Sequence, residues 1–264
     1  MDILTTLPYS FQVTAVLLLG LSLGSFANVC IHRLPKHESV VSPRSRCPSC
    51  KTQIAIWDNI PVFSYLLLKG KCRQCITPIS ILYPIIETIT SLLILIGFIK
   101  FGVSWKFVIF CVLGPALVII SIVDTKHKII PDIITLPGIV LGLAAGSYLV
   151  GLKDSLIGLL VGGSTFLIIS EIFYRVRGIV GMGGGDIKFI AAVGALLGWQ
   201  QVILIIFLSA FMGSLVGLIA LVGKRLSTLS RIPFGPFLAA GTLVAYFSGE
   251  HIIHLYIMMV TGGY

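Results

Sequence analysis

Charge is what this sequence has least of. Only 11% of its 264 residues are charged, and ten of them are Asp or Glu. Soluble domains carry about 25% charged residues, so an ordinary soluble globular chain is excluded. Disorder needs low hydrophobicity, and here 56% of residues are hydrophobic. No basic segment precedes the first apolar run, whereas Arg33 and Lys36 follow it. That run is therefore expected to persist as a span rather than to be a cleaved signal peptide. The glycine run before Asp186 is followed by no Gly-Lys-[Ser/Thr] element, which argues against a phosphate loop. No serine has a paired histidine at membrane depth. His32, His37 and His127 fall in loops, and His251 and His254 lie near one end of the last apolar run.

Long apolar runs are what the sequence does have. A spanning helix needs about 20 mostly apolar residues. Eight candidates are legible, at roughly 9–31, 82–99, 105–123, 132–152, 154–175, 186–199, 201–222 and 233–260. The expected fold is an all-α polytopic bundle of about eight transmembrane helices with one long polar loop. The sixth candidate is short and rich in Gly and Ala, so it is expected to start inside the protein. The eighth contains Ser248, Gly249, Glu250 and His251, and a stop is expected near 248.

The net charge is +9, from 19 Lys and Arg against 10 Asp and Glu. In a soluble chain that excess would suggest nucleic acid. In a membrane chain it reports orientation, and no nucleic-acid partner is expected. Eight spans put loops 32–81, 124–131, 176–185 and 223–232 on one side. Together with Arg175 and Lys188 at span ends, they hold every basic residue except Lys100, Lys106 and Lys153. The positive-inside rule places that side in the cytoplasm and both chain ends outside.

The long loop contains Cys47-Pro-Ser-Cys50 and Cys72-Arg-Gln-Cys75, with 21 residues between the pairs. Two such pairs supply four thiolates for a closed tetrahedral zinc site. Two disulfides are the competing reading, and a reducing cytosol disfavours it. A thioredoxin-like pair lacks its surrounding βαβ pattern. A loop of this size has too little core to order itself, so a structural metal is expected as its staple. Cys30 and Cys111 lie in apolar runs and are expected to pack there.

Ionisable residues at membrane depth are costly and mark function. Three carboxylates lie at the cytoplasmic edge: Asp124, Asp132 and Asp186. Asp132 follows Pro131 and Asp186 follows Gly181-Met-Gly-Gly-Gly185, so either could simply cap a helix. Asp124 and Asp186 share a predicted depth, and a lysine follows each two residues on, Lys126 and Lys188. Glycines 183 and 185 permit close backbone approach at the start of the sixth run. Two carboxylates in contact share one proton. The ionised one can deprotonate water, and the protonated one can hydrogen-bond a scissile carbonyl. Lys126 and Lys188 either tune that pair or snorkel from helix ends. Whether the aspartates meet is not decided by spacing.

These residues resemble the type IV prepilin peptidase family, from about residue 20 to 240. The matching blocks are Gly24-Ser-Phe-Ala-Asn-Val-Cys-Ile-His-Arg-Leu-Pro35, both cysteine pairs, Trp57-Asp-Asn-Ile-Pro61 and Gly70-Lys-Cys72. Tyr83-Pro-Ile-Ile-Glu87, Asp124 through Ile130-Pro-Asp132, Gly183-Gly-Gly-Asp186 and Ile232-Pro-Phe-Gly-Pro-Phe-Leu-Ala239 complete the set. The resemblance implies Asp124 and Asp186 as the catalytic pair and favours Asp124 over Asp132. It implies cleavage of a short basic leader after a glycine in prepilins and pseudopilins. Methylation of the new N-terminus, usually Phe, from S-adenosylmethionine would follow, and Gly70 is associated with that step. It also implies the bacterial inner membrane, contact with membrane lipid, and proximity to pilus or secretion machinery. The corresponding division is a first span at 1–31, a tetracysteine loop domain at 32–81 and a peptidase helical domain at 82–264. Glu87 matches a family block without an assigned role. A proton-coupled transporter and a non-catalytic zinc-containing scaffold are the competing readings from the residues alone.

Overall fold

In a bilayer core every backbone polar group must be paired internally, so apolar runs cross as helices or closed barrels. The computed structural model describes residues 8–178, 181–222 and 232–261. Its regular structure is helical, and among the described residues the only β pairing is two isolated bridges. We label the α-helices α1 (Tyr9–Arg33), α2 (Phe63–Leu67), α3 (Leu82–Phe101), α4 (Trp105–His127), α5 (Asp132–Leu149), α6 (Leu152–Arg177), α7 (Gly184–Leu197), α8 (Trp199–Val222) and α9 (Gly235–Thr261).

Seven of these, all but α2 and α7, are long and apolar enough to cross a membrane. The chain is a multi-pass membrane protein. The sixth expected span is α7, whose 14 residues measure only about 21 Å, yet it runs from Ile130 beside Gly185 to Val150 and Asp154 beside Gly198. Its walls are protein: residues 189–196 are all buried, as a helix hydrophobic on every side should be. The expected stop near 248 is absent, because α9 continues to Thr261. Gly249 is buried there, against the side chain of Gln201. Lys224, Arg225 and Arg231, which contributed to the charge sorting, lie outside the described residues.

The chain divides into two compact units, Met1–Ile119 and Ile120–Tyr264. In the first, α1 packs along α3. A Cβ on Gly24 would lie 2.6 Å from the Cα of Glu87, so this approach requires glycine. Ser91 Oγ donates to the Leu17 carbonyl at 2.9 Å, and Asn28 Nδ2 donates to the Tyr83 carbonyl at 3.1 Å. Small residues and cross-helix hydrogen bonds are how helices associate without a hydrophobic drive between them.

The second unit is organised around α7. Helices α5 and α6 pack against it, and their glycines face its backbone. A Cβ on Gly162 would lie 2.7 Å from the Ile190 carbonyl, and one on Gly142 would lie 2.6 Å from that of Ala192. Ser155 Oγ is buried and donates to the Ala195 carbonyl. The first turn of α7 carries Asp186, so the packing that buries the helix also fixes that carboxylate.

Candidate active site and metal centre

Asp124 sits in the last turns of α4 and is only 6% exposed. Its Oδ2 accepts the backbone N–H of Gly235 at 2.7 Å. Gly235 is the first residue of α9. The first N–H groups of a helix have no partner within it, and that end favours negative charge. A Cβ on residue 235 would lie 2.8 Å from the same oxygen. The glycine therefore lets the backbone donor reach the acid.

Asp186 is the third residue of α7, and the N-cap is Gly183. Asp186 is thus not the N-cap residue, and its carboxylate reaches back to the backbone N–H of Gly183. A Cβ on Gly183 would lie 3.0 Å from Asp186 Oδ2, and one on Gly185 would lie 2.8 Å from Ile130 Cβ. The two glycines allow the start of α7 to close on its own carboxylate and on the connection that follows α4. Asp186 Oδ1 is buried and has no hydrogen-bond partner among the described residues. The charge of Asp124 acts on Asp186. Two carboxylates from different helices are thus brought within electrostatic reach.

The remaining carboxylate and the two lysines are placed differently. Asp132 opens α5, whose N-cap is Pro131, and makes no cap hydrogen bond. Its two oxygens each lie 2.8 Å from Lys188 Nζ. Lys188 is therefore committed to Asp132 rather than to the aspartate pair. Lys126 is exposed and has no ion-pair partner among the described residues. The residue that spacing did not single out is Gly235. Its signal was the Gly-Pro step at 235–236, a helix-start pattern that says nothing of where the N–H points.

The four cysteines of the loop come together, with their Sγ atoms all within 4.8 Å of one another. Cys47 and Cys75 Sγ are 3.7 Å apart. Four thiolates at about 2.3 Å from one ion would lie about 3.8 Å from each other, so the cluster fits a metal ion. The two halves repeat. Lys51 donates to the Cys47 carbonyl at 2.9 Å and Ile76 to that of Cys72 at 3.0 Å. Lys51 and Ile76 both have positive φ, and bridges Arg46–Gln53 and Lys71–Pro78 close each turn at the same offset. Thr77 Oγ1 lies 3.1 Å from Cys75 Sγ. Hydrogen bonds from the Thr77 hydroxyl and backbone bring the Cys75 thiol down to about 6, and those from Thr52 lower Cys50. Cys30 is buried and Cys111 half-buried, apart from this cluster.

Gly70 joins the loop's short helix to the second cysteine turn. Its φ is +70°, and a Cβ there would lie 2.9 Å from the Tyr65 hydroxyl. Its N–H donates to the Tyr65 carbonyl at 2.8 Å, and its own carbonyl accepts from Ile79 at 2.7 Å. Glu87 is 7% exposed, and its Oε2 accepts the Val62 N–H at 2.8 Å.

Two family models match the chain. Residues 18–101 match the bacterial peptidase A24 N-terminal domain, and residues 111–218 match the type IV leader peptidase family. Among the relatives is a prepilin leader peptidase/N-methyltransferase of Pseudomonas aeruginosa, 36% identical, with 97% of each chain covered. A protein of the same name from Bacillus subtilis is 36% identical over 95% of this chain and 100% of its own. One from Legionella pneumophila is 34% identical over 94% and 95%. No solved structure matches.

Proposed function

The chain belongs to the type IV leader peptidase family, and we propose that it cleaves the short basic leader of type IV prepilins and type II secretion pseudopilins. The cut follows a glycine at the cytoplasmic edge of the inner membrane, and the new N-terminal residue, usually Phe, is then methylated. Two aspartates within electrostatic reach, one held by a helix N-terminus and one with an unpaired buried oxygen, carry this reading. The names of the relatives favour neither a transporter nor a scaffold.

In this account Asp124 and Asp186 are the catalytic pair. Two adjacent carboxylates ionise one at a time. The ionised one takes a proton from water, and the resulting hydroxide attacks the scissile carbonyl. The protonated one hydrogen-bonds the carbonyl oxygen and later delivers its proton to the leaving amine. The chain itself forms no covalent intermediate. A substrate helix must open at the cut, because a helical amide is occupied by its own hydrogen bonds. Gly183 and Gly185 let the start of α7 pack against the Asp186 carboxylate and Ile130, which fixes where that acid stands. The Lys188–Asp132 pair supports the start of α7 from outside the reacting centre.

The tetracysteine loop is assigned to a structural zinc ion. Four thiolates close the coordination sphere and leave no position for a reacting water. Cys47, Cys50, Cys72 and Cys75 would hold it, and Thr52 and Thr77 would orient two of the sulfurs. S-adenosylmethionine would supply an electrophilic methyl group to the amine freed by cleavage. Gly70 is assigned to the methylating half through the loop turn it makes possible. The concentration of Lys and Arg on one set of loops supports cytoplasmic placement of this half.

The test is hydrolysis of a prepilin peptide in lipid by the purified chain, with products identified by mass. Labelled S-adenosylmethionine reports the second step. Failure to cut any of several prepilins would count against the proposal, and cleavage without label on the product would remove methylation alone.

A further inference from the structure

Residues 56–67 of the loop are arranged inside out. The segment is a 3-10 turn, Ile56–Asn59, followed by α2. Its apolar side chains point away from the protein: Trp57 is 69% exposed, Leu66 65% and Leu67 81%, with Ile56, Ile60 and Phe63 also exposed. Two of its polar side chains, Asp58 and Ser64, are turned inward, while Asn59 is exposed. Ser64 is buried and ties the two pieces together, accepting the Ile60 N–H at 3.0 Å and donating to the Trp57 carbonyl at 2.9 Å. The backbone N–H groups of Asp58, Phe63, Ser64, Leu66 and Leu68 all have backbone partners. Internal pairing of polar groups beneath an apolar surface is what an apolar solvent demands.

The depth of the segment can be read from its anchor. Helix α3 has 20 residues, about 30 Å in length, so it needs all of them to cross the hydrocarbon core. Glu87 lies five residues inside its start at Leu82, about 7.5 Å along the axis. Helical side chains lean toward the N-terminus, which brings the carboxylate up toward the boundary between headgroups and acyl chains. There it accepts the N–H of Val62 at 2.8 Å. Val62 has φ of 61° and ψ of −50°, and Phe63 donates to the Pro61 carbonyl at 2.6 Å. That is a rare, strained γ-turn, held here by a buried acid. The hydrogen bond ties 56–67 to the first turns of α3.

The charge around the segment is basic. Its only acid, Asp58, is bonded to Arg73 through both oxygens, at 2.8 and 2.6 Å. Lys69 and Lys71 follow α2 directly and are exposed. Tryptophan at the interface flanked by lysines is the composition of a membrane-surface anchor, and each exposed cation near an anionic leaflet adds to the attraction.

We propose that residues 56–67 form an interfacial anchor that seats Trp57, Leu66 and Leu67 among the anionic phospholipids of the leaflet the loop faces. The loop is then not a solvated insert but a membrane-bound platform. Glu87 is a positioning residue that sets its depth.

Bromolipid quenching of Trp57 tests this. The chain has three tryptophans, so Trp57 emission is taken as the difference between the intact chain and Trp57→Phe, each checked for metal content. In phosphatidylglycerol-containing vesicles, acyl-chain bromines should quench that difference emission by at least half, and aqueous iodide should not. Lys69→Gln with Lys71→Gln should reduce the quenching toward its level in purely zwitterionic vesicles. Iodide quenching without bromine quenching would overturn the anchor. Equal bromine quenching in anionic and zwitterionic vesicles would overturn the anionic preference. Photoreactive phosphatidylglycerol needs no variant: crosslinks within 56–67 are expected, and crosslinks confined to other segments would overturn the proposal, as would crosslinking of 56–67 to a second copy or to added prepilin instead of lipid.

Discussion

The backbone N–H of Gly235 points at Asp124 Oδ2 from 2.7 Å. A donor on the first residue of one helix thereby holds an acid near the end of another. A Cβ at 235 would sit 2.8 Å from that oxygen, so Gly235→Ala must push the carboxylate or the helix aside. A displacement near 1 Å at a reacting group costs about 100-fold in rate. Cleavage by Gly235→Ala is expected to fall by about that factor with helicity and metal content unchanged. Cleavage at the intact rate would show that this hydrogen bond does not position the acid.

The pairing of Lys188 with Asp132 makes a contrasting prediction. The two side chains are 38% and 56% exposed, and exposed ion pairs contribute about 0–1 kcal/mol. Asp132→Asn, Lys188→Met and the double variant should each cut at no less than about one-fifth of the intact rate. Their coupling in thermal stability should stay below about 1 kcal/mol. A loss of several orders of magnitude on changing Asp132 alone would place it in the chemistry.

Thr77 Oγ1 touches Cys75 Sγ at 3.1 Å. Groups that orient metal ligands contribute about 10–100-fold to affinity. Thr77→Val is expected to weaken zinc binding about tenfold in a competition with a chelating dye. Cys47→Ser with Cys72→Ser should remove the single metal ion. Unaltered affinity in Thr77→Val would leave the hydroxyl without a role, and unaltered metal content in the double variant would refute the site.

Gly70 adopts φ of +70° beneath the Tyr65 ring. Alanine in that conformation costs about 1–2 kcal/mol before the clash is counted. Gly70→Ala should shed metal faster and lose methyl transfer, while cleavage continues. Methyl transfer at the intact rate would separate Gly70 from that step.

Much of this architecture was legible because apolar runs of spanning length permit few structures. The paired cysteines were legible because their spacing repeats; the structure adds that Lys51 and Ile76 turn in the same left-handed sense. Helix α7 was read as a short span rich in Gly and Ala that starts inside the protein, and its burial agrees, but hydropathy does not say which helices enclose it. Its neighbours Gly142, Gly158 and Gly162 carried the missing information, since their missing side chains make room for it. Lys188 was grouped with Asp186 by proximity in sequence, yet its partner lies 56 residues away. Gly235 was invisible as a site residue, because its contribution is a backbone N–H and no side chain announces it.

The central claim is that Asp124 and Asp186 act as one catalytic unit, and a single assay measures it. A prepilin peptide in anionic vesicles is incubated with the intact chain, with Asp124→Asn and with Asp186→Asn, and hydrolysis after the leader glycine is quantified. Each variant should lose about four orders of magnitude in rate, the double variant should lose little more because the two act as a unit, and metal content and helicity should match the intact chain. Hydrolysis that survives in either single variant would contradict the account.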